Sequence, residues 1–174
     1  MAVSSDESTV SVHYVGDDKD TDQSGFDMDV ISLAKPQVNE GNYLKRNDYD
    51  FEEGSFSFDL DMPTNSYEFQ FNVKLGDNNF DVQNKIARLI NQSDIGLLAE
   101  VRLDNHGQSA LRIESKQTGL AADEDAIFSI HSGTSWNEIN KLGIAHVTSP
   151  ASNSIFRLNG QEHSSLSNTF TINR

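Results

Sequence analysis

The sequence predicts an α+β fold, rich in antiparallel strands, with one or two short helices. Two small lobes are expected rather than a single thick core. Strict alternation of apolar and polar residues in SFSFDLD (55–61) and YEFQFNV (67–73) is typical of half-buried strands. Apolar residues between 80 and 90 follow helical spacing instead, and Gly96 lies just beyond them. The hydrophobic fraction is 36%, in short runs separated by Asn, Asp, Ser and Gly, which favours thin β-layers.

The central residues, 55–146, are predicted to form one lobe built on a ββαββ unit. The first two strands make an antiparallel hairpin with one buried aromatic face. The helix begins at a polar cap and should cover that face, and the candidate caps are Asp77, Asn78 and Asn79. Two more alternating strands follow, and the sequence NHG at 105–107 makes the turn between them.

Shorter elements are expected towards the C-terminus. A further apolar run at 127–130 precedes a short helical turn at 136–142, which ends near Gly143. An apolar strand then leads to the Asn-Gly dipeptide at 159–160. The final stretch, SNTFTINR at 167–174, is predicted to be a closing strand.

The flanking residues, 1–54 and 147–174, are predicted to be β-hairpin segments that form or complete a second lobe. Residues 36–54 within them contain Pro36 and many polar residues, which predicts a connection rather than a strand. Three aromatic residues are expected to pin this connection to the body of the protein, namely Tyr43, Tyr49 and Phe51.

The N-terminal part of the chain carries two alternating runs. Val10, Val12 and Tyr14 alternate with polar residues, and a second run follows at 26–30. The loop GDDKDTDQSG lies between the runs. Two strands joined by a long acidic hairpin are therefore predicted.

The charge of the chain excludes several kinds of partner. Lys and Arg number 13 against 27 Asp and Glu, so the formal net charge is -14, which repels nucleic acid and anionic membrane surfaces. Cysteine is absent, which excludes disulfides and thiolate metal sites. No stretch has the roughly 18 apolar residues of a membrane span, and the start MAVSSDESTV lacks the features of a secretory signal. If the protein leaves the cell, we expect export without a cleavable signal peptide.

The acidic loop superficially follows the spacing of a calcium-binding loop. Asp18, Asp20 and Asp22 alternate, and Asp29 lies eleven residues after the first. Gln23 stands where such a loop needs glycine, and Asp29 stands where it needs a bidentate glutamate. We therefore favour a solvated hairpin tip over a calcium site.

No catalytic, cofactor-binding or metal-binding residue is predicted, and the chain is not expected to be an enzyme. The sequence contains neither a nucleophile elbow nor a glycine-rich phosphate loop, and the acidic run at 123–125 is explained by solvation. A carboxylate pair that meets only in space stays an alternative. The histidines lack the i,i+4 pairing of a helical zinc site; they are His13, His106, His131, His146 and His163.

Aromatic side chains could also line a carbohydrate groove, because their faces stack on sugars. The aromatic residues between 56 and 71 all fit one buried strand face, so core packing explains them better. Trp136 lies among polar neighbours. It is the one aromatic residue for which a surface role is expected.

Residues 66–118 resemble the repeat of flagellins and hook proteins. The resemblance rests on a strand pair, on a helix ending in LINQSDIGLLAEV, and on the strand phrase ALRIESKQTG. A second phrase, PASNSIFRLNGQEHSSLSNTFTINR at 150–174, is similar to one in the flagellar filament capping proteins, the hook-associated protein 2 family. GFDMDVISLAKPQ at 25–37 resembles the strand phrase that opens the outer region of that family.

The resemblance implies a structural protein of the bacterial flagellum, namely the outer, head-like region of a filament cap that assists flagellin assembly. It implies flagellin as a partner and a homo-oligomer for the full-length protein, with a monomer left open as the state of this fragment. It also implies an extracellular location at the filament tip and no cofactor. The chain lacks the sustained heptads of the family's terminal segments, which implies an outer fragment. The alternatives are a variable outer domain of a flagellin-like filament subunit and a carbohydrate-binding or adhesion module.

Overall fold

A computed structural model describes residues 2–13 and 25–172 of the chain. Strands and short loops dominate it, and the longer of its helices lies at the centre of the sequence. The elements are β1 (Met28–Ser32), β2 (Pro36–Glu40), β3 (Leu44–Lys45), β4 (Gly54–Asp61), β5 (Ser66–Val73), α1 (Asn79–Ser93), β6 (Leu97–Leu103), β7 (Gln108–Thr118), β8 (Ser129–His131), α2 (Trp136–Leu142), β9 (Ser154–Leu158) and β10 (Gln161–Ser165).

The strands of the described residues form separate antiparallel sheets. One sheet has the order β1-β9-β10 and another the order β5-β4-β8. In the third, β7 lies between β6 on one edge and β2 with β3 on the other. This arrangement confirms the predicted α+β fold with antiparallel strands.

The predicted ββαββ unit is present as β4, β5, α1, β6 and β7. In the β4–β5 hairpin, Phe58 lies opposite Phe69 with ring centroids 5.3 Å apart, and Phe71 is buried beside them. Side chains alternate across the sheet, so the aromatic residues share one face and the carboxylates Asp59 and Glu68 share the other. The alternation in the sequence predicted this burial correctly.

Asn78, one of the predicted caps, is the N-cap of helix α1. The Asn78 side chain accepts a hydrogen bond from the Asp81 main-chain N–H at 2.8 Å, and the Asp81 carboxylate accepts one from the Asn78 N–H at 3.0 Å. This reciprocal pair is a capping box, which satisfies main-chain donors that the first turn leaves free. The helix ends at Ser93, and its C-cap, Asp94, has a φ of 51° in the left-handed region.

The core lies between the sheets and around α1. Val82, Ile86 and Ile90 of the helix are fully buried, and they belong to the same apolar cluster as the aromatic face of the hairpin. The helix contacts β6 and β7 as well as β5, so it covers two sheets rather than the hairpin alone. Ile139 and Leu142 of α2 close the cluster on another side.

The predicted connection at 36–54 is wrong in its first part, because β2 and β3 lie there and pair with β7. The main chain of these strands forms hydrogen bonds with β7, although the polar sequence of the segment does not indicate a strand. Of the aromatic residues expected to pin this segment, Phe51 is buried in the core, whereas Tyr43 and Tyr49 are 43% and 67% exposed.

The predicted N-terminal hairpin is also wrong where the structure describes it. Val10 and Val12 lie outside any strand, and Tyr14 falls outside the described residues. β1 pairs with β9 instead, so its partner comes from the far end of the chain. The predicted closing strand is not formed by residues 167–172 either, because β10 ends at Ser165.

The division into lobes stays a prediction, with one lobe at 55–146 and the other formed from 1–54 and 147–174. Backbone pairing joins β1 with β9 and β10 in one sheet. It also joins β2 and β3 to β7, in the sheet that α1 covers.

Candidate functional site

Two buried amide side chains attach β2 to its neighbours. The Gln37 Oε1 accepts hydrogen bonds from the main-chain N–H groups of Ile127 and Phe128, at 2.8 and 3.3 Å, and its Nε2 donates to the Phe128 carbonyl at 2.8 Å. Asn39 donates to the Ile144 carbonyl at 2.9 Å. Both side chains are almost fully buried. They act as fixed polar bridges between β2 and the segments before β8 and after α2.

Sequence reasoning missed these two residues. The run PQVNE has no period-two alternation of apolar residues, which is the signal that marks the other strands. The one available signal was the proline at its start, because proline is tolerated at the first residue of a strand.

A further amide, Asn91 in α1, fixes the helix to the edge of β6. Its Nδ2 donates to the Ala99 carbonyl and its Oδ1 accepts from the Ala99 N–H, both at 2.8 Å. This side chain therefore makes the pair of hydrogen bonds that an additional strand would make at that position.

The outer face of the β5-β4-β8 sheet carries a shallow acidic depression. It has a volume of about 450 Å³ and is lined by Asp59, Asp61, Ser66, Tyr67, Glu68 and His131. The His131 Nε2 lies 3.2 Å from the Asp61 Oδ2, and both side chains are largely exposed. Within the described residues, no group of His, Cys, Asp and Glu side chains is arranged to hold a metal ion.

The outer face of β6 and β7 carries a row of ion pairs. The Glu100 Oε1 lies 2.8 Å from the Arg102 Nε and 3.7 Å from the Arg112 Nη1. Arg112 also contacts the Glu114 carboxylate at 2.8 Å. The Glu100–Arg102 pair is about half exposed and contributes little to stability, whereas the Arg112 side chain is only 19% exposed.

Side-chain surroundings shift several pKa values near these faces. Partial burial raises the pKa of the Tyr43 hydroxyl, and the nearby Glu40 carboxylate adds to the effect. The Lys85 ammonium donates a hydrogen bond to Asp77, which lowers the pKa of that carboxyl, and the Lys74 N–H acts in the same direction. In the turn before β7, burial acts to raise the pKa of Asp104, but hydrogen bonds from the Gln108 and His106 N–H groups lower it overall.

The structure does not bring the sequence-predicted candidates together. Asp18, Asp20, Asp22 and Gln23 fall outside the described residues, while Asp29 lies in β1 opposite Arg157. Asp123, Glu124 and Asp125 lie in the loop before β8. The histidines occupy separate parts of the chain; they are His13 near the N-terminus, His106 in the β6–β7 turn, His131 in β8, His146 after α2 and His163 in β10.

Trp136 is the first residue of α2 and is 61% exposed. The aromatic residues of the β4–β5 hairpin are buried or half-buried by comparison. The expectation that Trp136 lies at the surface is therefore confirmed. A role for it in binding sugar stays a prediction.

The solved structures that match this fold include flagellar cap proteins. The D1-D2-D3 domains of the flagellar cap protein FliD from Escherichia coli match with a TM-score of 0.59 and 16% identity, over 84% of this chain and 44% of that chain. The D2-D3 domains of the same protein match with a TM-score of 0.59 and 17% identity, over 84% and 75% of the two chains. FliD (HAP2) from Pseudomonas aeruginosa PAO1 matches with a TM-score of 0.57 and 18% identity, over 86% and 71%.

At these identities the likeness establishes the fold. The present chain spans 44% of the length of the first of these structures. No protein-family model matches the sequence, and no curated protein matches it. In the described residues, no helix is long and apolar enough to cross a membrane.

Proposed function

We propose that this chain is the outer, head-like region of a flagellar filament cap protein of the hook-associated protein 2 family. The observation that carries the proposal is the shared fold, which extends over 84% of the chain in the cap protein structures from Escherichia coli. The sequence phrases that resemble the family are independent support, because that resemblance lies in the residues and not in the fold.

These phrases coincide with the parts of the structure that fix the sheets. LINQSDIGLLAEV covers the end of α1 and most of β6, and it contains both Asn91 and Ala99, which bind each other. ALRIESKQTG covers most of β7, the strand that pairs with other strands along both of its edges. The C-terminal phrase contains β9 and β10. The resemblance therefore includes the residues that join α1 to β6 and most of the central strand β7.

The function that follows is steric and does not involve catalysis. The proposed head is a set of sheets held rigid by buried apolar contacts and by the amide bridges of Gln37, Asn39 and Asn91. A rigid body of this kind can close the growing end of a filament while other segments of the protein admit new subunits. Its net charge of -14 keeps it soluble at an exposed position.

The proposal includes flagellin and further copies of the same protein as partners. It also includes an extracellular location at the filament tip, reached by export without a cleavable signal peptide. Contact with host or environmental surfaces is a further part of the proposal, and exposed side chains such as Trp136 are suited to it.

Electron microscopy of the full-length natural protein mixed with flagellin tests the proposal. The expected result is a small oligomer confined to the filament tip. A variant that lacks residues 25–172 serves as the control, because its tip density should lose the outermost part. Incorporation along the whole filament would identify a filament subunit instead, and absence from flagella would overturn both readings.

A further inference from the structure

On three strands in the body of the protein, at least one main-chain position of the free edge is bound by another group. Asn91 binds the main chain of Ala99 on the free edge of β6. The Lys85 ammonium donates to the Asn72 carbonyl of β5 at 2.8 Å. Along β2, the Val38 N–H donates to the Ser149 carbonyl at 2.8 Å. Such contacts prevent another chain from adding a strand at these positions.

The edge of β10 differs from these three. The Asn159 N–H donates to the Asp27 carbonyl beside β1, so Asn159, Arg157 and Ile155 direct their main-chain groups towards β1. The alternate residues of β9 therefore face β10, where they pair with Gln161, His163 and Ser165. It follows that the main-chain groups of Glu162 and Ser164 point away from the sheet. In the described part of the chain, neither residue has a hydrogen-bond partner for these groups.

Three of the features that protect exposed edges are missing from the short strand β10. Its sequence is QEHSS, without lysine or proline, and its pairing with β9 contains no bulge. Its one carboxylate, Glu162, lies opposite Arg157, which in turn lies opposite Asp29 of β1. The local charge at this edge is therefore small, although the chain as a whole carries -14.

We propose that β10 is a pairing edge for the β10 strand of a second copy of this chain. Glu162 and Ser164 lie symmetrically on either side of His163, so a two-fold axis through His163 matches each copy's outward groups with those of the other. In this antiparallel arrangement, Glu162 of one copy exchanges main-chain hydrogen bonds with Ser164 of the other. The two β1-β9-β10 sheets become one continuous sheet.

The strand is held ready for such pairing by its own aromatic neighbours. The Phe156 ring stacks on the His163 ring with centroids 5.6 Å apart, and on the Phe170 ring with centroids 4.1 Å apart. A second copy therefore meets an ordered edge. Because the contact uses the same surface on both copies, it closes on itself and produces dimers rather than fibres.

The charge of the chain predicts how this dimer responds to salt. Two bodies of like charge repel each other through solvent, whereas main-chain hydrogen bonds depend little on ionic strength. At about 1 M salt the Debye length falls to roughly 3 Å, so the repulsion is screened. We therefore expect the dimer to strengthen as salt is added.

Sedimentation velocity of the 174-residue chain over a concentration series tests the proposal, at low salt and at about 1 M salt. Ser164→Pro removes one outward N–H and leaves every hydrogen bond within the β9–β10 hairpin in place. It should raise the dimer dissociation constant by a factor of roughly 10 to 100. Ser164→Ala is the matched control, because it keeps the N–H, and it should dimerise like the unchanged chain.

A second variant and a local measurement guard against a misfolded proline variant. His163→Lys places two ammonium groups at the axis and should also abolish the dimer, whereas His163→Gln should retain it. Amide hydrogen exchange should show slower exchange at Glu162 and Ser164 as concentration rises. A chain that stays monomeric at high salt, or a dimer that ignores both Ser164→Pro and His163→Lys, overturns the proposal. None of these outcomes depends on the proposed role at the flagellum.

Discussion

Gly119 lies against the main chain of Leu166, with no room between them for a side chain. A Cβ built on Gly119 would lie 2.6 Å from the Leu166 Cα and closer still to its carbonyl oxygen. The neighbouring Thr118 hydroxyl donates to the same carbonyl at 2.8 Å. The end of β7 is therefore in direct contact with the segment that follows β10. This contact connects the three-stranded β1-β9-β10 sheet to the strand at the centre of the largest sheet.

Gly119→Ala should consequently destabilise the protein far more than a comparable change elsewhere. Its φ of 78° already disfavours alanine, and the clash with Leu166 adds to that cost. Gly76→Ala is the matched control, because Gly76 has a φ of 92° but nothing within 4 Å of the added Cβ. We expect a loss of about 1 kcal/mol for the control and several times more for Gly119→Ala. Urea unfolding measures both, and equal losses would contradict the close approach.

Gln37→Met should remove the polar bridge between β2 and the segment before β8 at nearly constant volume. The change leaves the buried N–H groups of Ile127 and Phe128 without their acceptor. Unsatisfied buried groups cost about 1 to 3 kcal/mol each, so we expect a loss of about 3 kcal/mol in the free energy of unfolding. Gln70→Met on the exposed face of β5 should change it by less than about 0.5 kcal/mol. A similar effect for the two variants would argue against the bridge.

Gln37 also explains why β2 was not predicted from the sequence. Gln37 and Asn39 are polar but buried, and their partners lie about a hundred positions away in the chain. No local sequence pattern indicates hydrogen-bond partners that lie so far away in the chain. The strands β4 and β5 were predictable because one face of each is apolar and the other is solvated, which the alternation of the sequence records directly.

The N-terminal hairpin failed as a prediction for a related reason. Val10 and Val12 alternate with polar residues as a strand would, but alternation does not specify a partner strand. β1 pairs with β9, whose residues lie more than a hundred positions later. The acidic depression on the β5-β4-β8 sheet was equally difficult to predict from the sequence, because His131 and Asp61 meet only through the pairing of β8 with β4.

Ile86→Ala tests the central position of α1 in the core. Ile86 is fully buried, so its truncation removes apolar contacts and leaves a cavity. Such changes cost about 2 to 5 kcal/mol. Leu75→Ala is the control, because Leu75 is 88% exposed and should matter little. Thermal unfolding of both variants measures the difference, and a small effect at Ile86 would be inconsistent with the packing of the helix between two sheets.

The pair formed by Asp77 and Lys85 should make stability depend on pH. The pKa of Asp77 is lower in the folded protein than its ordinary value of 3.8, so the folded state favours the charged carboxylate. Its contribution is present above that ordinary value and is lost as the pH falls through the lower folded pKa. Asp77→Asn should therefore reduce stability at pH 7, by under about 1 kcal/mol because both side chains are partly exposed.

Below the folded pKa of Asp77, the unchanged protein and Asp77→Asn should have equal stability, since both then carry an uncharged group. Asp123→Asn is the control, because Asp123 is exposed in the loop before β8. The urea unfolding midpoints of the unchanged protein and of both variants, measured from neutral to acid pH, test this prediction. A difference at Asp77 that persists unchanged to low pH would show that charge is not its cause.

The pairing of β1 with β9 also determines how the protein would carry a mechanical load. β1 and β10 both run antiparallel to β9, so they run in the same direction, with Met28 at one end of the sheet and Ser165 at the other. Tension applied at those two residues pulls the strands past one another, and the hydrogen bonds between them bear it together. The residues between β1 and β9, which include α1 and the buried core, lie outside that line of force. A force applied at the two ends would thus load the β1-β9-β10 sheet first, and the core would bear no tension while that sheet stays intact.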